Sequence, residues 1–240
     1  MLMVAPHIIV LHVSKGYEER AAHIERAMAR HGLEFEYMLR GDIADIDSEV
    51  LSEYFSDSFG AKDAVTSCSY KHLLACKRIV DAGWPGAVVM EDDAVLFDRF
   101  NEILPEAVRQ LDEREKGPAI LSLEDTRLRF VPRSRRRRGV LVYPGDRDRL
   151  AGCYYINRAG AEAVLAAACG HKLDRPIDTF HRLMLDRGEI AYWWLQPPIA
   201  TQGSFTGLFP SSLSTRYSRI VTPVVWKLKL NYRKLLYWLR

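Results

Sequence analysis

The chain has 240 residues, of which 48% are hydrophobic and 27% are charged. That length and composition fit one sizeable domain with a buried core and exclude wholesale disorder. Lys and Arg number 34 against 31 for Asp and Glu, a formal charge of +3. So small an excess excludes general nucleic-acid binding as the basis of function and leaves only local basic patches.

Strand-like and helix-like segments alternate along the chain. Strands are predicted at 7–13, 34–39, 87–90, 119–123, 140–143, 153–156 and 190–195, and helices at 17–31, 64–82, 101–114, 157–170 and 176–186. Residues 42–60 are predicted to be acidic and irregular. The alternation predicts an α/β sandwich with a largely parallel central sheet.

The four cysteines predict no metal site of their own. They stand at Cys68, Cys76, Cys153 and Cys169, with no C-x-x-C pair and no histidine at zinc-finger spacing. We therefore expect reduced thiols in a cytosolic protein and no structural zinc site. Nothing resembles a signal peptide, and no run reaches 18 apolar residues, so neither a leader nor a transmembrane helix is expected.

An apolar strand runs directly into three consecutive acids in VVMEDDAVL, residues 88–96. Adjacent carboxylates raise one another's pKa, and a cation relieves that repulsion. Ligands of open α/β sheets bind beyond the carboxyl ends of the strands, and hard oxygen ligands suit Mg²⁺ or Mn²⁺. The pattern indicates a divalent-cation site that clamps a diphosphate; the alternative is a solvated acidic turn.

Several other enzyme classes lack their usual sequence support. The chain has no G-x-x-x-x-G-K-[ST] phosphate loop, no G-x-G-x-x-G dinucleotide fingerprint and no G-x-S-x-G nucleophile elbow. Kinase-like, dinucleotide-dependent and serine-hydrolase readings are therefore not favoured.

Five segments, in matching order over most of residues 7–204, resemble glycosyltransferase family 25, the lipooligosaccharide and collagen galactosyltransferase-like group. VVMEDDAVL resembles that family's Glu-Asp-Asp block, and the other four are SCSYKHLLACKRIVDAG (67–83), GCYYINRAGAEAVL (152–165), PIDTF (176–180) and WLQPPIATQGSF (194–205). The chain departs from the family at His12-Val13, where Asn-Leu is usual, and at Ser67 and Lys71, where Gly and Ser are usual.

The resemblance implies a GT-A-like (Rossmann-like) nucleotide-sugar-binding sandwich over residues 1–210, with Mn²⁺ or Mg²⁺ as cofactor. It further implies an inverting transfer of a hexose from a UDP-sugar to a lipooligosaccharide, lipid-linked saccharide or other cell-surface glycan. Galactose, transferred in β linkage, is suggested by the family alone. The rival hypothesis is a non-catalytic saccharide- or membrane-binding relative, which the altered Ser67 and Lys71 keep open.

The resemblance assigns roles to four carboxylates. Asp93 is expected to ligate the metal, with Asp92 and Glu91 as a further ligand or a ribose contact. Asp178 is expected to be the general base that takes the acceptor hydroxyl's proton. The alternative for Asp178 is helix capping, since it follows Pro176 near a helix start.

Five more side chains are candidate donor contacts. Arg20 matches a family arginine in the first helix and suits a diphosphate. His12 ends the first strand and could face the base, whereas His72, Gln202 and Ser204 match family segments near the donor. A surface arginine and packed histidines are the alternative interpretations of Arg20, His12 and His72.

Two basic segments lie outside the globular pattern. Residues 211–240 hold seven basic residues and no acid among tryptophans, tyrosines and leucines. We expect this segment to attach the protein peripherally to the anionic inner face of the cytoplasmic membrane; the alternative is a helix docked on the core. Residues 126–138 hold seven arginines, which could bind anionic saccharide phosphates or form a solvated loop. No nucleic-acid partner is expected, because no aromatic stacking platform lies nearby.

Overall fold

A computed structural model describes residues 6–210 and 221–239, with side chains in the second segment from residue 224. The strands are β1 (His7–Leu11), β2 (Glu36–Met38), β3 (Gly86–Glu91), β4 (Ala94–Leu96), β5 (Ala119–Ser122), β6 (Val142–Pro144), β7 (Cys153–Asn157), β8 (Ala191–Leu195) and β9 (Ala200–Gln202). The α-helices are α1 (Glu18–His31), α2 (Ser48–Tyr54), α3 (Ala64–Asp81), α4 (Phe100–Arg114), α5 (Arg158–His171), α6 (Ile177–Asp186), α7 (Gly203–Thr206) and α8 (Val221–Leu239).

Seven strands form the central sheet in the order β2-β1-β3-β7-β5-β8-β6. The parallel pairs are β1 with β2, β1 with β3, and β5 with β8. β7 runs antiparallel to both β3 and β5, and β6 runs antiparallel to β8. Five strands therefore share one direction, which confirms the predicted α/β class with a mostly parallel sheet and is consistent with a GT-A-like sandwich.

Helices cover both faces of this sheet. Along β1 and β3, Ile9 and Val89 face the core formed with α3, α5 and α6, while Val10 and Val88 face the core formed with α1 and α4. Strands buried on both faces read as continuous apolar runs, which is why HIIVL and AVVM stand out in the sequence. With both faces covered, a ligand can reach the sheet at the strand ends.

The carboxyl ends of β1 and β3 lie side by side, with Leu11 paired to Glu91. Just beyond them a second, two-stranded sheet joins β4 to β9 in antiparallel pairing, with Ala94 opposite Gln202. This small sheet returns residues 200–204 to the three acids, so distant parts of the chain meet at one edge.

The structure differs from the sequence prediction in its short elements. Residues 42–60, predicted to be irregular, contain a 3-10 turn at Ile43–Asp45 and helix α2. Asp47 caps α2, since its carboxylate accepts the Val50 N–H at 2.9 Å. β4 and β9 were not predicted, because three residues are too few to show an alternating pattern.

Helix α8 lies against the body of the protein. It contacts α7 and the 3-10 turn at Arg133–Arg135. The rings of Phe130 and Tyr237 meet edge to face at 5.8 Å, and the Arg133 guanidinium lies 4.6 Å from the Trp238 ring. Of the helices described, none has the length and apolar character needed to cross a bilayer. The rest of the predicted basic tail, residues 211–220 and Arg240, lies outside the described residues.

Candidate active site

The three consecutive acids, Glu91, Asp92 and Asp93, form a turn at the carboxyl end of β3, here called the acidic turn. Its backbone is fixed from two sides: the Glu91 N–H donates to the Gly152 carbonyl at 3.0 Å, and the Asp92 N–H donates to the Leu11 carbonyl at 3.1 Å. Asp92 is 4% and Asp93 is 3% exposed. The acidic turn is therefore not the solvated loop that the sequence left open as an alternative.

Asp92 is held by two cationic or polar side chains. Its Oδ1 accepts from Arg20 Nη1 at 2.9 Å, and its Oδ2 lies 2.7 Å from His12 Nδ1. Arg20 also donates through Nη2 to the Pro210 carbonyl at 2.8 Å. Both carboxylate oxygens of Asp92 are thus engaged. Arg20 and His12, which are expected to contact the donor, contact this carboxylate and also line the cleft described below.

Asp93 keeps one oxygen without a partner. Its carbonyl and its Oδ2 accept the N–H groups of Gly203 and Ser204, at 2.8 and 3.1 Å, while its buried Oδ1 has no hydrogen-bond partner among the described residues. Burial, reinforced by the charge of Glu91, raises the pKa of Asp93 to about 6. A buried, unpartnered carboxylate oxygen fits a hard divalent cation such as Mg²⁺ or Mn²⁺.

Glu91 faces a cysteine and a histidine from α3. Its Oε1 lies 3.9 Å from both Cys68 Sγ and His72 Nε2. Burial, and next the charge of Asp92, raises the pKa of Glu91 to about 7. Burial lowers the pKa of His72 to about 3, so this imidazole is neutral, and its Nδ1 lies 2.9 Å from the Tyr154 hydroxyl.

Asp178 lies in the first turn of α6, close enough to the acidic turn for its charge to raise the pKa of Glu91. Its Oδ2 accepts from Arg127 Nη2 at 3.4 Å, and its side chain is 20% exposed. The hydrogen bonds described at the start of α6 show no cap by the Asp178 side chain. The carboxylate is thus free of the capping role that the sequence left open.

Gln202 and Ser204 reach the site through the small sheet. Gln202 is 7% exposed and packs over Gly152, where a side-chain Cβ would stand 1.9 Å from the Gln202 amide nitrogen. Ser204 contacts Asp93 through its backbone N–H rather than its hydroxyl. Ser204 therefore contacts the acidic turn directly, whereas Gln202 packs against Gly152, whose carbonyl accepts the Glu91 N–H.

A cleft of about 600 Å³ opens where β1 and β2 end and α3 begins, and its lining residues include His12, Arg20, Lys71, Glu91 and Asp92. That volume lies within the range of small-molecule and cofactor sites. Asp93, the next residue after Asp92, is not among the lining residues, and its Oδ2 accepts the Ser204 N–H. The cleft places cations and carboxylates together, a suitable arrangement for a charged ligand.

Ser67 and Lys71, the positions that depart from the family pattern, line this cleft and bond to the loop after β2. The Lys71 ammonium, almost fully buried, forms an ion pair with Asp42 Oδ1 at 2.8 Å and donates to the carbonyls of residues 39 and 40 at 3.1 Å. The Ser67 hydroxyl donates to the Gly41 carbonyl at 2.7 Å. Both therefore hold the loop after β2.

Glu124, which no motif in the sequence indicated, supports the acidic turn through Gly152, whose carbonyl accepts the Glu91 N–H. It is fully buried, and its Oε1 accepts the N–H groups of Gly152 and Cys153 at 2.8 and 3.3 Å. Its Oε2 accepts the Thr126 hydroxyl. Burial raises the pKa of Glu124 to about 8. The available signal was the strand 119–123 running into acids, the pattern already noted at Glu91.

Comparisons with known proteins give little beyond a weak structural likeness. No protein-family model matches the chain, and no curated protein matches it. Among solved structures, the chain is similar to the crystal structure of a glycosyltransferase involved in the glycosylation of the major capsid of PBCV-1, at 9% identity and a TM-score of 0.46. That match covers 94% of this chain and 100% of the other. The identity and the TM-score are both low, so this likeness does not define the function of the chain.

Proposed function

We propose that this chain is an inverting, metal-dependent glycosyltransferase that moves a hexose from a nucleotide sugar to a glycan. The observation that carries the proposal is the buried acidic turn, which meets a cleft of about 600 Å³ at the carboxyl edge of the sheet. In line with the family resemblance, we assign UDP-galactose as the donor and a lipooligosaccharide or other cell-surface glycan as the acceptor.

Asp93 is the residue that would hold Mn²⁺ or Mg²⁺, because its buried Oδ1 has no other partner among the described residues. A bound cation would supply charge neutralisation for the departing diphosphate. Asp92 is the second expected ligand, but both of its carboxylate oxygens contact Arg20 and His12. We therefore assign it mainly to holding the acidic turn in place. Mg²⁺ sites commonly use one or two carboxylates together with substrate phosphates, so Asp93 need not act with a full set of protein ligands.

Asp178 is the residue that we assign as general base. The acceptor hydroxyl gives its proton to the Asp178 carboxylate while its oxygen forms a bond to the anomeric carbon. The bond from that carbon to the diphosphate oxygen breaks, and its electron pair leaves on the nucleoside diphosphate. Arg127 Nη2, 3.4 Å from Asp178 Oδ2, would help to position this carboxylate.

Donor turnover tests this proposal. Purified protein is incubated with UDP-galactose, UDP-glucose and UDP-N-acetylhexosamines, with Mn²⁺ or with EDTA. We expect turnover of one donor that needs Mn²⁺, its loss in Asp93→Asn, and a fall in kcat of about 10²–10⁴-fold in Asp178→Asn with donor binding retained. Asp98→Asn is the matched control, since Asp98 is an exposed acid paired with Arg30.

Two results would count against the assignment. Full Mn²⁺-dependent turnover by Asp93→Asn would remove the proposed ligand. Absence of both binding and turnover for every nucleotide sugar would favour a non-catalytic saccharide- or membrane-binding protein.

We further propose that residues 211–240 form a membrane-association segment that holds the protein on the inner face of the cytoplasmic membrane. Leu228, Tyr232, Leu235 and Leu239 recur at helical spacing and are 54–67% exposed. The exposed cations of α8 are Lys227, Lys229, Arg233 and Lys234. An apolar stripe flanked by cations suits an anionic bilayer surface, each cation contributing about 1 kcal/mol.

Vesicle co-sedimentation tests this second proposal. We expect binding to phosphatidylglycerol vesicles, little binding to phosphatidylcholine, and loss of binding when Leu228 and Leu235 are both replaced by serine. Equal sedimentation of the doubly substituted protein with the anionic vesicles would contradict it.

A further inference from the structure

Cys68, His72 and Glu91 bring a sulfur, a nitrogen and an oxygen ligand to one point beside the cleft. Cys68 and His72 lie four residues apart on one face of α3, and Glu91 is the last residue of β3. Glu91 Oε1 lies 3.9 Å from Cys68 Sγ and 3.9 Å from His72 Nε2, and the three candidate ligand atoms all lie within 4.8 Å of one another.

These separations fit a tetrahedral ion. Zinc binds sulfur at about 2.3 Å and nitrogen or oxygen at about 2.0–2.2 Å, so neighbouring ligand atoms of a tetrahedral site stand roughly 3.3–3.7 Å apart. The two distances to Glu91 exceed this range by about 0.2–0.6 Å, and the Cys68 Sγ–His72 Nε2 distance, within 4.8 Å, exceeds it by about 1.5 Å at most. Side-chain rotations that move the ligand atoms by these amounts would close the site.

A buried nitrogen of His72 without a partner is a second observation, separate from the distances, that indicates a bound ligand. His72 is fully buried, and its Nε2 has no hydrogen-bond partner among the described residues. The hydrogen bond between Nδ1 and the Tyr154 hydroxyl, at 2.9 Å, leaves Nε2 as the atom aimed at Glu91. At 3.9 Å the carboxylate is too far to satisfy Nε2 by a hydrogen bond. A ligating histidine typically has its other ring nitrogen fixed in this way.

We propose that Cys68, His72 and Glu91 bind a thiolate-preferring divalent cation of the Zn²⁺ class, with its fourth position open to the cleft. Cys68 and Glu91 line that cleft, so solvent or a ligand has access to the fourth position. This site is additional to the proposed function. It differs chemically from the Mn²⁺ or Mg²⁺ site proposed at Asp93, because Asp93 offers only oxygen ligands. It also differs from the closed four-ligand zinc site that the cysteine spacing excludes, because open sites use three protein ligands.

Cobalt spectroscopy tests the site without reference to catalysis. The protein is stripped with a chelator and titrated with Co²⁺. We expect a sulfur-to-cobalt charge-transfer band at one equivalent, removed by Zn²⁺ and absent in Cys68→Ser. Tyr154→Phe is expected to weaken Zn²⁺ binding about 10–100-fold, since loss of an outer hydrogen bond to a ligating histidine has effects of that size.

Two further variants separate the outcomes. Cys169→Ser is the matched control, because Cys169 is an exposed cysteine, and it should keep the band. Asp93→Asn should also keep the band while losing Mn²⁺-dependent turnover, so failure of the zinc site and failure of the proposed function are distinguishable. Absence of the band in the wild-type protein, or its persistence in Cys68→Ser, would overturn the inference.

Discussion

Replacement of Arg20 by methionine tests whether the Arg20–Asp92 pair anchors the acidic turn. Methionine keeps the apolar stem and removes the charge, so Asp92, 4% exposed, loses the 2.9 Å partner of its Oδ1. Loss of one partner of a buried ion pair costs about 3–5 kcal/mol, and the lost hydrogen bond to the Pro210 carbonyl adds about 1 kcal/mol. His12 still binds Oδ2. We therefore expect the free energy of unfolding to fall by about 4 kcal/mol at pH 7.

A double-mutant cycle isolates the charge. Asp92→Asn placed in the Arg20→Met background removes the uncompensated carboxylate, and the asparagine oxygen can still accept from His12. We expect the double variant to be more stable than Arg20→Met alone by about 2 kcal/mol, because it no longer buries an uncompensated carboxylate. Urea unfolding followed by tryptophan fluorescence measures all four proteins.

An exposed ion pair provides the control. Arg30 and Asp98 lie 2.6 Å apart with side chains that are 71% and 83% exposed, so Arg30→Met should cost less than about 1 kcal/mol. Equal losses for Arg20→Met and Arg30→Met would refute the reasoning. So would a double variant at Arg20 and Asp92 whose loss is the sum of the two single losses.

Two further predictions concern stability. The pKa of Glu124 is about 8 in the folded protein against an ordinary 4.5, so between these pH values the folded state holds a proton that unfolding releases. The free energy of unfolding should therefore decline as pH rises from 4.5 to 8, by up to about 1.4 kcal/mol per pH unit. Glu124→Gln should remove that part of the slope; an unchanged slope in urea titrations at several pH values would contradict it. Gly86→Ala should cost about 1–3 kcal/mol or more, because its Cβ would stand 2.6 Å from the Ile156 carbonyl, whereas Gly170→Ala, with open space around it, should not destabilise. Equal melting temperatures for the two alanine variants would show this reasoning to be wrong.

Much of the fold could be predicted because its strands are buried on both faces. The run 87–90 has no polar residue and the run 119–123 has only Ser122, and both runs end at acids, so their apolar character and length identify them as strands. The same logic placed Glu91, Asp92 and Asp93 at the carboxyl edge of the sheet. That position is observed, whereas their roles in binding and catalysis remain predictions.

The partners of these acids could not be predicted. Arg20 reaches Asp92 across 72 positions of sequence, and Ser204 reaches Asp93 across 111. Such contacts depend on how α1 and the small sheet dock, which no local pattern encodes. Similarly, Cys68 and His72 show four-residue spacing in the sequence, but their convergence on Glu91 is a result of packing between α3 and β3.

The antiparallel strand β7 has a consequence for how the chain is made. It lies between β3 and β5 and pairs with both. In the described sheet, the edge of β3 away from β1 and the edge of β5 away from β8 pair with β7 alone. During translation, β3 and β5 both leave the ribosome before residues 153–157, so each carries an unsatisfied hydrogen-bonding edge until β7 arrives. Open edges of apolar strands pair readily with other chains. Self-association of nascent or refolding protein should therefore begin along β3, and a late insertion step should limit the rate at which the sheet closes.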